Sequence, residues 1–328
     1  MATLSTTNPT LTDVASRLTP DGKIDPQIVE MLSESNPILD DMTLVEANGF
    51  TEHKTTIRTG LPTGTWRKLN YGVSQEKSRT VPVKDTMGML ESYAEVDKAL
   101  ADLNGNSAAW RLSEDRAFLE GLNQTMATTL FYGDSSLDPE KFMGLAPRYN
   151  SKSAENARNI IDAQGAGNDN ASIWLIVWSP VTCHAIYPKG SSAGLHSRDL
   201  GEHTLTDAQG GRYQGYRTHY KWDLGFTLRD WRYAVRICNI DVSDLAGGSA
   251  ANILKLMAQA LHRIPNLRMG RPAFYMNRDI SEALDIQSME KPTLALKTQE
   301  LEGKFWQTFR GVSIRETDAL LSTEARVV

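Results

Sequence analysis

The sequence predicts a mixed α+β protein, and three stretches of the 328-residue chain support this prediction. Residues 106–132 have the periodicity of one long helix, and residues 50–96 have the composition of a long two-stranded excursion. Residues 213–240 alternate between two classes of side chain, as in an antiparallel hairpin. These signals follow one another along the chain without a repeat of fixed period.

The first part of the chain predicts an arm. Residues 1–23 are rich in Thr and Ser and show no periodicity, which indicates a segment that is mobile or is ordered by a partner. Asp25-Pro26 then predicts a helix cap and a first helical turn, and Asn36-Pro37 ends this short helix.

The long helix is predicted from its ends and from one apolar stripe. Asn106 or Ser107 caps its start, and Gly133 follows its end. The stripe recurs about every four residues and contains Phe118, Leu122, Met126 and Leu130, with Leu112 and Leu119 beside it. About 25 residues span roughly 37 Å at 1.5 Å per residue, which suits a structural strut. An ordinary core helix of a mixed domain is the alternative.

The excursion at 50–96 predicts strands near 51–59 and 64–70, a flexible tip, and a return strand from about 79 to 96. It contains few large apolar residues for its length. Because an isolated two-stranded ribbon is marginally stable in water, the excursion packs on its own domain or reaches a neighbouring subunit.

The second half of the chain predicts alternating helices and strands. The apolar run at 173–178 indicates a strand covered on both faces. In the hairpin at 213–240, residues 223–225 form the turn, and Arg217, His219 and Lys221 make one face cationic. The other predictions are helices at 153–163, 181–187, 249–262 and from 279, an exposed loop at 189–211, a strand at 272–276, and a hairpin at 293–316.

Composition excludes several classes of protein. The 40% hydrophobic and 23% charged residues are typical of a folded soluble protein, and no apolar run approaches the roughly 20 residues of a membrane span. The N-terminus lacks the features of a secretion signal. Cys183 and Cys238 make no disulfide framework, which favours a reducing compartment. A net charge of −5 argues against a general nucleic-acid binder.

The charges are divided between two adjacent segments. Residues 11–48 contain eight acids against two cations, and residues 53–84 contain seven cations against Glu76 alone. Such segments pair within one chain or between neighbours in an assembly, unless both are simply solvated. We take the pairing between subunits as a hypothesis, with the candidate contact residues Lys54, Arg58, Arg67, Lys68, Lys77, Arg79, Lys84, Asp40, Asp41 and Glu46.

No pattern in the sequence predicts catalytic, cofactor-binding or metal-ligating residues. The six histidines do not stand at metal-ligand spacing on one predicted helix. Phosphate-loop, dinucleotide and nucleophile-elbow motifs are absent from the sequence. Glu114 and Asp115 are neighbours on a helix, so their carboxylates diverge, which is wrong for an acid/base pair. The sequence therefore does not predict an enzyme.

The order of an arm, a basic two-stranded excursion, one long helix and an α/β region resembles the HK97-like major capsid proteins of tailed double-stranded DNA bacteriophages. The segments most similar to that family, and above all to its short-tailed phages, are FYGDSSLDPEKFMGLAPRY, RPAFYMNRDISEAL and FRGVSIRETDALL. The resemblance implies an N-terminal arm at 1–48, an extended E-loop at 49–98, and a peripheral domain with a spine helix at 99–150. Residues 151–328 would form a mixed α/β axial domain plus returning strands of the peripheral domain.

The same resemblance implies a structural protein that assembles with itself into hexamers and pentamers of an icosahedral shell around the phage genome. Its partners would be other copies of itself, a separate scaffolding protein, a portal and a cement or decoration protein, with DNA contacted only non-specifically and no membrane. It would be found in the virion, and in the host cytoplasm during assembly. The rival readings are a β-rich enzyme or carbohydrate-binding protein with a Trp-lined cleft, and a tail or portal component.

Overall fold

The computed structural model describes residues 34–102, 107–207, 209–246, 251–290, 296–301 and 304–328. The arm at 1–23 and the short helix predicted after Asp25 lie outside these residues. The helices are α1 Ile38–Asp41, α2 Lys98–Ala101, α3 Ser107–Tyr132, α4 Leu145–Arg148, α5 Ile253–Arg263 and α6 Arg278–Glu290. The strands are β1 Leu44–Glu46, β2 Glu52–Gly60, β3 Arg79–Asp97, β4 Ile160–Asp162, β5 Asn170–Trp178, β6 Cys183–Tyr187, β7 His196–Thr206, β8 Arg212–Leu228, β9 Ala234–Asp241, β10 Arg271–Met276, β11 Leu296–Leu301, β12 Lys304–Phe309 and β13 Val312–Glu316.

One mixed sheet joins all of these strands. Its main path runs β11-β12-β13-β10-β5-β6-β8-β3-β2, while β1 pairs with β6, β7 with β8, and β9 with β4 and β5. The ribbon of β2 and β3 therefore ends the path on one side. The mixed α+β class predicted from the sequence is confirmed.

The main core surrounds β5, which is buried along its whole length. Trp174 and Trp178 both lie in this core, and the indole Nε1 of Trp178 donates a hydrogen bond of 2.8 Å to the hydroxyl of Tyr275 on β10. The strand is apolar on both faces because helices and neighbouring chain segments cover both faces, as the run at 173–178 predicts.

A buried ion pair attaches the C-terminal segment to this core. Glu324 accepts a hydrogen bond of 2.7 Å from Nη2 of Arg236 on β9, and the two side chains are only 4% and 5% exposed. The hydroxyl of Tyr132, at the end of α3, also donates to Glu324. Nη1 of Arg236 donates to the carbonyl oxygen of Tyr149 at 2.9 Å. These hydrogen bonds offset the desolvation cost of burying both charged groups.

The long helix is confirmed as α3, but its apolar stripe is only half covered. Leu122, Met126 and Leu130 are buried, whereas Leu112 is 55% exposed. Beneath the helix, Ala94 of β3, Leu122 and Tyr220 of β8 form a small cluster separate from the main core. The first half of α3 lies over β7 and β8 through Arg111, whose Nη2 is 2.6 Å from Oδ1 of Asp199.

Two predicted helices are wrong. Residues 181–187 contain the strand β6, because Val, Thr, Cys, Ile and Tyr suit a pleated surface and β6 is paired with β8 on one side and β1 on the other. Residues 153–163 form a short 3-10 helix, Glu155–Asn159, followed by β4, whose two isoleucines are buried against β9. Tertiary pairing overrides weak local helix propensity in both cases.

The predicted hairpin at 213–240 is also wrong. Strand β8 continues through 223–225 without turning, and its partner is β7, which lies within the predicted loop at 189–211. Gly225 serves close packing here, since an added Cβ would lie 2.8 Å from the carbonyl oxygen of Thr86 on β3. Almost all of strand β7 is exposed, and it is polar on both faces. Its sequence therefore lacks the alternation of apolar and polar residues by which a half-buried strand is predicted.

Candidate assembly surfaces

A two-stranded ribbon projects from the body of the described chain. Strand β3 pairs with β8 only from Met87 to Asp97, while its first part pairs with β2 alone. The two strands thus leave the body as an antiparallel pair, and residues 61–77 at their far end are all exposed. The predicted strands near 51–59 and 79–96 are confirmed. The strand predicted at 64–70 is wrong, because these residues are irregular chain within the tip.

The root of the ribbon is held by polar groups in the body. Asp85 of β3 is 4% exposed, and its Oδ1 accepts a hydrogen bond of 2.8 Å from Nη2 of Arg148. On β2, the ring of His53 lies edge-on to His184 of β6, with 5.9 Å between centroids. His184 is buried, and neither of its ring nitrogens has a hydrogen-bond partner. Burial, His53 and Arg229 together lower the pKa of His184 to about 4.

The seven candidate cations all lie on this ribbon. Lys54 and Lys84 near its root both pair with Glu52, with 2.8 Å between Nζ of Lys54 and Oε1 of Glu52. The other five are exposed and have no ion pair with any residue that the structure describes: Arg58, Arg67, Lys68, Lys77 and Arg79. Glu76, the acid among them, bonds Thr63 across the tip.

The three candidate acids lie in the body near α1 and β1. Asp40 is exposed, and Oε1 of Glu46 accepts a hydrogen bond of 2.8 Å from the backbone of Gly190. Asp41 is engaged within its own chain, since Nε of Arg315 lies 3.1 Å from Oδ2 of Asp41 and the hydroxyl of Tyr275 donates to the same oxygen. Within the described part of the chain, no ion pair joins these acids to the ribbon cations.

The cationic face predicted for residues 213–240 is neutralised by β3. Nη2 of Arg217 lies 2.5 Å from Oε1 of Glu95, and Nε2 of His219 lies 3.1 Å from Oε2 of Glu91. Lys221 contacts Glu91 and Asp223. Cross-strand pairs of this kind stabilise the sheet.

The chain matches a known protein family over most of its length. The model of the family "Major capsid protein GP7" matches residues 19–328. The chain belongs to this family. It is a capsid protein that forms shells, and its fold is HK97-like.

One solved structure agrees with the family assignment, and a second is reported for its similarity alone. The capsid structure of bacteriophage Epsilon15 is 38% identical, with a TM-score of 0.75 over 100% of this chain and 99% of that chain. The capsid of bacteriophage JBD30 is 10% identical, with a TM-score of 0.48 over 89% of this chain and 93% of that chain. No curated protein matches this capsid protein.

Four of the tryptophans do not line an open cleft. Trp174 and Trp178 are buried, and Trp222 and Trp231 pack against the main core. Across the described ranges, no group of three or more His, Cys, Asp or Glu residues could hold a metal ion. No helix of the capsid protein, within the part that the structure describes, is long and apolar enough to cross a membrane.

Proposed function

We propose that copies of this capsid protein assemble into hexamers and pentamers that close an icosahedral shell around the phage genome, without catalytic activity. The observation that carries the proposal is the projecting ribbon. Its tip exposes Trp66, Leu69 and other large apolar side chains that the chain itself leaves uncovered. An exposed apolar surface of this kind marks a site for a partner, because covering it removes apolar side chains from water.

The domain division implied by the resemblance remains part of the proposal: arm 1–48, E-loop 49–98, peripheral domain 99–150, and axial domain with returning strands 151–328. The small cluster beneath α3 supports a peripheral unit in which β8 is a returning strand. The main core contains both Leu130 of α3 and Phe274 of β10, so we expect the proposed peripheral and axial domains to pack directly on each other.

The experiment that tests the proposal replaces residues 61–78 with a short Gly/Ser turn. The deleted tip has no contact with the core, so we expect a folded subunit with an unchanged circular dichroism spectrum. Electron microscopy should show closed particles for the intact chain and none for the variant. If the variant unfolds instead, the tip belongs to the core of its own subunit.

A second experiment tests the charge hypothesis. Reversing Arg67, Lys68, Lys77 and Arg79 to Glu should slow assembly, because many exposed pairs together determine register and rate even though each contributes only about 0–1 kcal/mol. Reversing Asp40 and Glu46 to Lys in the same chain should partly restore assembly. Asp41 is left unchanged, because its loss would unpair Arg315 in the same subunit. Failure of the rescue, with both variants folded, would assign the cations to another acidic surface.

The proposal extends to partners and location. A shell protein of this kind is expected to meet a separate scaffolding protein, a portal and a cement or decoration protein, to contact packaged DNA only non-specifically, and to lack a membrane partner. We expect the subunit in the host cytoplasm during assembly and in the virion afterwards. Co-purification from infected cells, followed by mass spectrometry of the particles, tests each partner separately.

A further inference from the structure

Buried polar atoms without partners are concentrated at the root of the ribbon, where β2 and β3 leave the body. His184 of β6 is 1% exposed, and neither of its ring nitrogens has a hydrogen-bond partner among the described residues. The same is true there of the hydroxyls of Thr55 on β2 and Thr227 on β8, and of Oδ2 of Asp85 on β3. Buried polar atoms normally have partners, so a group of exceptions points to a functional or conformational role.

The strand register brings these groups together. His53 of β2 stands opposite Asp85 of β3, and Thr55 follows His53 on the same face of β2. On β6, His184 stands opposite Thr227 of β8. The ring of His53 lies edge-on to the ring of His184, with 5.9 Å between the centroids. These two rings therefore form a contact between the ribbon and the body.

The charged groups that act on His184 are positive. Burial is the main cause that lowers the pKa of His184, and His53 and Arg229 lower it further, to about 4. Asp85 acts on the neighbouring ring instead: burial lowers the pKa of His53, and Asp85 opposes that shift. The carboxylate of Asp85 is also bonded to Arg148, with 2.8 Å between Nη2 and Oδ1.

The other charged groups on the elements around β6 have partners of their own. These pairs are Asp230 with Arg232, Glu46 with the backbone of Gly190, and Lys54 and Lys84 with Glu52 on the opposite face of β2. Strand β5 presents apolar side chains from Ile173 to Trp178. A proton on His184 therefore creates a buried positive charge beside other positive groups, which is costly unless the ring reaches water.

The topology allows the root to open while the sheet of the body stays intact. Strand β3 pairs with β8 from Met87 to Asp97, and its earlier part pairs with β2. Among the described strands, β2 pairs only with β3, so it meets β6 through side chains and not through a strand ladder. A rotation of the ribbon about residues 86–88 moves His53 away from His184 and keeps β6 paired with β8 and β1.

We infer that the root of the ribbon is an acid-sensitive joint: when His184 takes up a proton, the ring of His53 separates from it and the ribbon rotates away from the body, while the main core stays folded. Neutral His184 holds the ribbon in the direction described above. The joint couples that direction to pH. The inference does not depend on the proposed assembly, because it concerns the single subunit.

Hydrogen–deuterium exchange of unassembled subunits at pH 8 and pH 5, measured by mass spectrometry, tests the joint. In the opened root the ring of His184 is in water and takes up its proton near pH 6.5, whereas in the closed root it does so near pH 4. Linkage then raises the equilibrium constant for opening by about 30-fold between pH 8 and pH 5. Protection factors, which correct for the pH dependence of intrinsic exchange, should fall by about this factor in residues 52–60 and 79–86. They should stay nearly constant in β5 and in residues 87–97.

Two variants without the titrating group and one matched control complete the experiment. His184→Phe keeps a buried ring and should leave the root protected at pH 5. His184→Gln also lacks the titrating ring and serves the same purpose if the Phe variant does not fold. His203→Phe makes the same chemical change at an exposed position of β7 and should show the full fall of about 30-fold.

Three results would overturn the inference. The first is unchanged protection of the root at pH 5 in the unaltered chain. The second is an equal fall in β5, which would mean that the whole subunit unfolds. The third is a fall in the root that persists in the folded variants without the His184 ring. A failure of the unaltered chain to form closed particles would bear on the proposed assembly alone.

Discussion

His184 is expected to make the subunit sensitive to acid. It lies on β6 beneath the root of the ribbon, 1% exposed, and burial is the main cause that lowers its pKa to about 4. His53 and Arg229 add positive potential around the same ring and lower this pKa further. Asp85, an acid of the ribbon root, is paired with Arg148.

The sign and size of the effect follow from linkage. The unfolded chain takes up the proton near pH 6.5, whereas the folded chain takes it up only near pH 4. The stability that neutral His184 provides is therefore nearly complete above pH 6.5, declines as pH falls from 6.5 towards 4, and is fully lost below pH 4. Titration of this one group lowers the free energy of unfolding by about 2 kcal/mol between pH 8 and pH 5, and by about 3 kcal/mol once pH is below 4.

Denaturant unfolding of unassembled subunits at pH 8 and pH 5 measures this difference. His184→Phe keeps a ring of similar size and has no titrating group, so the loss between the two pH values should shrink by about 2 kcal/mol. His203→Phe is the control, because His203 is exposed on β7 and is solvated in both states. If His184→Phe loses as much unfolding free energy between pH 8 and pH 5 as the unaltered chain does, His184 is not the source of the acid sensitivity.

Three further outcomes are expected. Glu324→Ala leaves the buried guanidinium of Arg236 without its carboxylate, so urea unfolding should show a free energy of unfolding lower by about 3–5 kcal/mol. The control Lys141→Ala breaks an exposed pair and should lower it by less than about 1 kcal/mol. Equal losses in the two variants would contradict this expectation. Gly121→Ala should raise helix stability by about 1 kcal/mol in the unassembled subunit, seen as a higher urea midpoint, and a lower midpoint would mean that the glycine is needed for packing. Burial raises the pKa of the Cys238 thiol to about 11 and raises that of Cys183 as well, so neither should react with a thiol reagent at pH 8 until the chain unfolds; fast labelling of the folded subunit would contradict this.

Elements with strong local signals could be predicted from the sequence. The long helix has a stop signal at Gly133 and a four-residue period, and β5 has an uninterrupted apolar run, so both were predicted within a few residues. The ribbon strands were predicted because turn-forming residues surround them. Strands β6 and β7 were missed because their pairing is non-local: one is buried between two neighbours, and the other is polar on both faces.

The candidate surface could be predicted only in part. The sequence shows that the cations cluster between Lys54 and Lys84, but it does not show that Asp41 is occupied by Arg315, which is distant along the chain.

The central claim is that the projecting ribbon is covered by a neighbouring copy in a closed shell. An electron cryomicroscopy reconstruction of particles assembled from the purified chain tests it most directly, because the position of residues 61–78 can be traced from β2 and β3. We expect these residues to lie against the adjacent subunit, with Trp66 buried. A reconstruction in which the tip folds back onto its own subunit, or remains exposed on a closed shell, would contradict the account.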